Sequence, residues 1–267
     1  VIRARTYKEG YPKSEVMTNS YSVSESMLNS YNVPVISLVT DPDNLFDYRK
    51  GIYIPGRVFE RWRENNPDTV VTGAAPANYN QRGKLWEREA SIELFETDGR
   101  RSLVQNIGIR IHGGYSRSNA LKSLALYARE NYDDNPYFTY NIFSDKIEIK
   151  CSKILLRTSA TDSKHSLFRD AFMQSLARET GILDTQRFRP CIVHINGDYY
   201  GIHNIREAYD KQYINNYYGI NPEDVVMIKN PTGIAGVEIH EGFPGDEMHY
   251  NRMITFLKET GVKTDYD

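Results

Sequence analysis

The chain has 267 residues, with 33 Lys or Arg against 35 Asp or Glu and a net charge of −2. A balance this close to zero leaves no electrostatic footprint for DNA or RNA and no basic patch for a lipid surface. Hydrophobic residues reach 40% and aromatics 12%, which argues against disorder, and no apolar run approaches the ~20 residues that span a bilayer.

The opening stretch, Val1–Val23, alternates over Val1–Arg5, turns at Glu9-Gly10 and continues in a second short run, the pattern of a β-hairpin. The chain opens at Val1 in mid-pattern with no signal peptide to read, as a piece of something longer would. Ser24–Asn32 is polar and linker-like. Val33–Val39 has the continuous apolar character of a buried strand, and Asp41 or Asp43 is placed to cap a short helical turn carrying Leu45 and Phe46. Gly51 to Gly83 carries three prolines and reads as a long loop with two helix-like turns at most; loops of that length are usually functional or wrapped on the surface.

Trp86–Phe95 and Asn106–His112 alternate as half-buried strands around a hairpin signal at Asp98-Gly99. A glycine-rich loop follows, Gly113 to Asn119, and a strand from Lys122 to Tyr127. Ile147–Arg157 is one long strand or a pair. Ser166 is an N-cap candidate for a helix that Gly181 ends, with Leu167, Phe168, Ala171, Phe172 and Leu176 on one face. Residues 191–195 and 199–205 flank Asn196-Gly197, the strongest short hairpin signal in the chain. Counting from that turn puts His203 opposite Pro190. Glu207–Tyr218 is helix-like, Val225–Ile228 is a last strand, and Glu247–Thr260 is a helix ended by Gly261.

Two cysteines, Cys151 and Cys191, are too few for a disulfide scaffold or a four-cysteine zinc site. Each lies in an apolar run, so buried thiols are the leading reading and one inter-strand disulfide the alternative. The P-loop, dinucleotide, nucleophile-elbow and H-E-x-x-H signatures are all missing. The six histidines show no metal spacing, and structural or surface roles suit them better.

What remains is an order of parts. A strand enters a glycine loop, a strand with Lys122 follows, then a helix carrying Arg169, Asp170 and Glu179, then a hairpin that ends at Glu207. Flexible glycines let backbone N–H groups approach anionic oxygens, and a lysine held by a carboxylate neutralises charge. The nucleotide lobe of a protein kinase has this order.

At these residues the sequence resembles the spore coat protein H (CotH) kinase family. The matching stretches are Ile109–Arg117, Leu121–Leu124, Ser166–Phe172 and Val193–Glu207, against a family pattern that reads roughly R-x-x-G-x-S-x-R, K-S, L-x-R-D and N-G-x-Y-x-G-x-Y-x-x-x-E, with His203 where the pattern often has a second tyrosine. The likeness runs from about Pro34 to Lys229. Val1–Val23 resembles, more weakly, the end of the chitobiase C-terminal-like β-sandwich repeats that precede such domains. Residues 1–30 would then be the tail of a repeat with its linker, and 31–267 the family domain.

The resemblance implies an α+β, atypical protein-kinase-like fold with a mainly antiparallel sheet and packed helices, incomplete at its C-terminus. It implies transfer of phosphate from ATP to protein serines with Mg²⁺, in a secreted or surface bacterial protein. Carried over by motif, Lys122 contacts phosphate and Asp170 orients it as the catalytic pair, with Glu179 the alternative carboxylate. Gly113, Gly114, Ser116, Arg117 and Arg169 belong to the nucleotide site, and Glu207 lies at the nucleotide edge. The family's metal-binding D-x-D-x-x-F/W-G-like motif has no match; Asp265-Tyr266-Asp267 lacks the aromatic and glycine. No metal ligand is therefore assigned, and this stretch is expected to be inactive alone. The alternative is a non-catalytic extracellular adhesion or polysaccharide-associated module.

Overall fold

Alternating apolar residues need a common interior, and in the computed structural model of the chain they find one by closing a sheet on itself. The structure describes residues 1–21, 31–143, 149–163, 165–181, 184–229 and 236–261. They divide into two units, Val1–Ala208 and Tyr209–Asp267.

In the first unit, β1 (Ile2–Ala4) and β2 (Met17–Asn19) form the expected N-terminal hairpin, Ile2 opposite Asn19. Seven strands follow: β3 (Val35–Val39), β4 (Arg88–Phe95), β5 (Arg101–His112), β6 (Ser123–Tyr127), β7 (Lys153–Arg157), β8 (Phe188–Ile195) and β9 (Asp198–Glu207). They close into a barrel in the order β3-β4-β5-β6-β7-β9-β8. Every pairing is antiparallel except the closing one, where β3 runs parallel to β8 with Val35–Leu38 against Ile192–Ile195. Ile36, Leu38, Ile92, Leu94, Ile107, Ile109, Leu124, Leu126, Ile154, Leu156, Val193 and Ile205 fill the interior and are almost fully buried. A barrel of this strand number leaves room only for side chains.

The closed barrel overturns the expected kinase-like α+β fold with a mainly antiparallel sheet. Strand directions are mixed, and helices are few. The cause is the β3–β8 pairing, which joins what would be two free edges. A pairing between segments ~150 residues apart leaves no local trace in the sequence, and burial of both edges removes the exposed N–H and C=O groups that an open sheet must protect.

Local expectations fared differently from element to element. Asp41 caps helix α1 (Pro42–Phe46), accepting the Asp43 N–H at 2.9 Å. The stretch between Gly51 and Gly83 holds more helix than its prolines suggest, the ten-residue α2 (Gly56–Asn65). A single turn, α3 (Glu130–Asp133), follows β6. Strand β7 begins at Lys153; Ile147 and Glu148 of the longer expected strand lie outside the described residues, as do 24–30 of the linker and Asp265–Asp267. Helix α4 (Arg169–Thr180) ends at Gly181 as expected, but its N-terminus is capped from a distance by Asp162, not by Ser166. Cys151 and Cys191 form no disulfide, and burial pushes the Cys191 thiol up to about 12.

The Asn196-Gly197 turn forms with both residues at positive φ, 54° and 96°, as the turn that fits hairpin twist requires. His194 pairs with Tyr199, but the register then slips by one, so His203 faces Cys191 rather than Pro190. Gly201, at φ +85°, sits within that irregular stretch of β9. Asn196 Oδ1 also accepts the Thr40 N–H at 2.9 Å, tying the turn to the end of β3. Asn196→Ala is expected to cost about 1–2 kcal/mol, from the left-handed backbone and the lost hydrogen bond together; urea unfolding measures it.

The second unit holds α5 (Lys211–Tyr218), capped by Asp210, a hairpin of β10 (Met227–Lys229) with β11 (Glu238–Glu241), and α6 (Glu247–Thr260) before Gly261.

Candidate functional site

On β5, β6, β7 and β9 the residues that alternate with the interior isoleucines and leucines point out of the barrel. They are Arg110 and His112 on β5, Ala125 and Tyr127 on β6, Lys153, Leu155 and Arg157 on β7, and Arg206 on β9. Register brings them side by side: Arg110 pairs with Ala125, Ala125 with Leu155, and Leu155 with Arg206. The result is a cationic outer face. Its carboxylates are Glu87, which holds Arg129 through two hydrogen bonds and approaches Arg110 at 3.4 Å, and Asp170. Asp170 stands at the start of α4, accepts a hydrogen bond from Arg206 at 2.8 Å and forms an ion pair with Arg157 at 3.6 Å.

His112 reports the field of this face. Burial first, then the positive charges of Lys153, Arg117, Arg157 and Arg82, push its imidazole down to about 4. It is therefore neutral at pH 7.

The glycine loop starts where β5 leaves this face. Gly113 has φ +113°, a region open to glycine and strained for a side chain. Ser116 and Arg117 lie in the short turn Tyr115–Ser118. Arg117 is buried under the loop and donates to three carbonyls: Gly113 at 2.6 Å, Tyr79 at 3.0 Å and Gln81 at 2.9 Å. Burial lowers its guanidinium to about 10. Arg82 reaches the Gly113 carbonyl at 3.4 Å. The long segment after α2 thus underlies the loop, and a methyl group on Gly73 would stand 2.5 Å from Ser118 Oγ and 2.7 Å from the Tyr115 ring.

Lys122 lies beneath the same loop. Its Nζ donates to the Arg117 carbonyl at 2.7 Å and the Asn119 carbonyl at 2.6 Å, between the rings of Tyr79 (4.4 Å) and Tyr53 (5.2 Å). The residue is 4% exposed, and burial lowers its ammonium to about 8. Among the described residues no carboxylate pairs with it, and Asp170 is engaged with Arg157 and Arg206 instead. Arg169 is largely exposed; its backbone N–H and its guanidinium both meet the carboxylate of Asp162. The Ser166 hydroxyl, donating to Asp162 at 2.6 Å, is the leading reason that carboxyl falls to about 2. Glu207 is buried and accepts the Arg187 N–H at 2.7 Å, joining the end of β9 to the approach to β8.

The structure therefore gathers Gly113, Gly114, Ser116, Arg117 and Lys122 around one loop, and Asp170 with Arg157 and Arg206 on the neighbouring face. Arg82, Arg110, His112, Lys153 and Arg157 were not singled out by sequence. Alternation places Arg110 with His112, and Lys153 with Arg157, on like faces of their strands, but only the order β5-β6-β7-β9 makes them neighbours.

Among the described residues no group of three or more His, Cys, Asp or Glu could hold a metal ion. The residues gathered here are cations and carbonyl groups, with Asp170 engaged by Arg157 and Arg206, and they do not fit a Mg²⁺ site.

The family model described as CotH kinase protein matches residues 109–266, more than half of the chain. No curated protein matches this chain.

Proposed function

This chain belongs to the CotH kinase protein family, and we propose that it binds ATP through the cationic outer face of the barrel and serves transfer of the terminal phosphoryl group to protein serine. The observation that carries this reading is the register that sets Arg110 on β5 and Lys153 and Arg157 on β7 along one outer face of the barrel, next to the strand end from which the glycine loop leaves.

Phosphoryl transfer asks little covalent chemistry of a protein and much electrostatic stabilisation. The bond from the γ-phosphorus to the bridging oxygen of ADP breaks, a bond to the serine oxygen forms, and the serine hydroxyl proton passes to solvent. Lys153 and Arg157 supply positive charge for the phosphate oxygens. Asp170 holds Arg157 from α4, as a carboxylate must if a flexible cation is to keep one position, and Arg206 anchors that carboxylate from the barrel wall. Arginine suits this task because its planar fork meets a phosphate and a carboxylate at once.

Calorimetric titration with ATP, with and without Mg²⁺ and Mn²⁺, tests the reading. Saturable binding in the micromolar to low-millimolar range is expected, weakened about tenfold in Arg157→Met, a loss of about 1.4 kcal/mol. Absence of binding by the whole protein would favour the non-catalytic module.

A further inference from the structure

We infer that Lys122 is a positioning residue that sets the glycine loop from beneath, rather than a contact to the ligand. Both strong acceptors of its ammonium are loop carbonyls, those of Arg117 and Asn119. The rings of Tyr79 and Tyr53 pack around the same ammonium, a placement worth more when the cation is shielded from water. The backbone of the residue is fixed as well: its N–H donates to Tyr53 Oη at 3.2 Å, Tyr53 Oη donates to the Ala120 carbonyl at 3.1 Å, and its own carbonyl lies 3.4 Å from His203 Nε2. A side chain held on this many sides has no freedom left to follow a phosphate.

The consequence for the loop follows from peptide geometry. In a planar trans peptide the C=O and the following N–H point in opposite directions. Drawing the Asn119 carbonyl down to Lys122 turns the Ala120 N–H away from the cage. Arg117 and Arg82, drawing down the Gly113 carbonyl, do the same to the Gly114 N–H. Neither of these two N–H groups has a partner among the described residues. The Gly113, Arg117 and Asn119 carbonyls thus face buried cations while the Gly114 and Ala120 N–H groups turn away from them, the polarity an anion requires. Lys122 does at Asn119 what Arg117 does at Gly113.

This role rests on the nucleotide reading only for the identity of the anion; the orientation of the loop is a property of the free protein. The test follows amide hydrogen exchange of residues 114–121 in ligand-free wild type and in Lys122→Met, which keeps the aliphatic stem between the tyrosines and loses the ammonium. Exchange of the Arg117 and Asn119 amides, which donate to the Gly114 and Ser116 carbonyls, is expected to rise about tenfold while the amides of β6 and β5 keep their protection, as in a local opening. ATP affinity, measured on the same samples, falls with it. Tyr79→Leu weakens the cage with the lysine retained; it is expected to raise loop exchange by a smaller factor and carries the test if Lys122→Met does not fold. Unchanged loop exchange in these variants, with ATP affinity lost in Lys122→Met, would overturn the inference in favour of a direct contact. Raised loop exchange in a protein whose wild type binds no ATP would uphold the positioning role and remove the nucleotide reading instead.

Discussion

Arg117→Met is expected to lower the stability of the barrel unit by about 3 kcal/mol or more, the largest effect of any single replacement at the loop. The guanidinium is nearly buried and donates to the carbonyls of Gly113, Tyr79 and Gln81. Methionine fills much of the same space and donates to none of them. Each buried carbonyl left without a donor costs about 1–3 kcal/mol, and water can reach some of the three, so the lower part of the summed range applies. The loss also weakens the link between the loop at 113–119 and the chain at 79–82, leaving the Arg82 bond to the Gly113 carbonyl at 3.4 Å and the Lys122 contact with Tyr79. Urea unfolding should show a lower midpoint with an unchanged slope, since the surface exposed on unfolding is the same. A midpoint equal to that of the wild type would mean that the loop does not depend on its buried arginine.

The second large effect is a dependence of ATP affinity on pH that passes through His112. In the free protein the imidazole is held at about 4 by burial and by the cations around it, below its ordinary value of about 6.5. The sign follows from proton counts. Between about pH 4 and 6.5 the unfolded chain binds a proton that the folded one does not, so the contribution of neutral His112 to stability is complete above about 6.5 and is lost as pH falls toward 4. A phosphate chain on the same face cancels part of the surrounding positive charge and raises the imidazole again. Burial remains, so the imidazole recovers only the part of its shift that the cations cause, and ATP affinity rises between pH 7 and pH 5.5 by linkage. His112→Asn removes this gain and leaves only the titration of the phosphate itself. Calorimetry of wild type and variant at the two pH values measures the difference, which is opposite in sign to a loss caused by acid destabilisation of the fold.

The strands and turns were legible in the sequence because their causes are local. The isoleucines at 107, 109 and 111, the Asn196-Gly197 turn and the glycines after α4 and α6 each act through neighbours within a few residues, and each stands where its pattern puts it. Closure of the barrel was not legible, because Val35–Leu38 and Ile192–Ile195 are both simply apolar runs, and nothing in either names the other as its partner. The register slip on β9 was hidden for a related reason: a turn fixes its nearest pair, His194 with Tyr199, and a glycine farther along is free to add a residue.

The site divides in the same way. Sequence found the glycine loop, and the structure builds it with Arg117 and Lys122 underneath. Sequence order paired Lys122 with Asp170, whereas Asp170 meets Arg157, the last residue of β7, a short distance ahead of α4 in the chain. That pairing had a signal, a cation at a strand end followed by an acid in the first turn of the next helix, but it was outweighed by the lysine beside the glycines. His112 was set aside with the other histidines for lack of metal spacing. Its significance comes from Lys153, Arg157 and Arg82, which reach it only through the fold.

The most direct test of the cationic face as the phosphate site is an NMR titration of ¹⁵N-labelled protein with ATP at pH 6, following the His112 imidazole and the Arg157 guanidinium together. Both resonances are expected to move along one saturation curve, with His112 taking up a proton as ATP binds. Saturable ATP binding that leaves both resonances in place would contradict a phosphate site on this face.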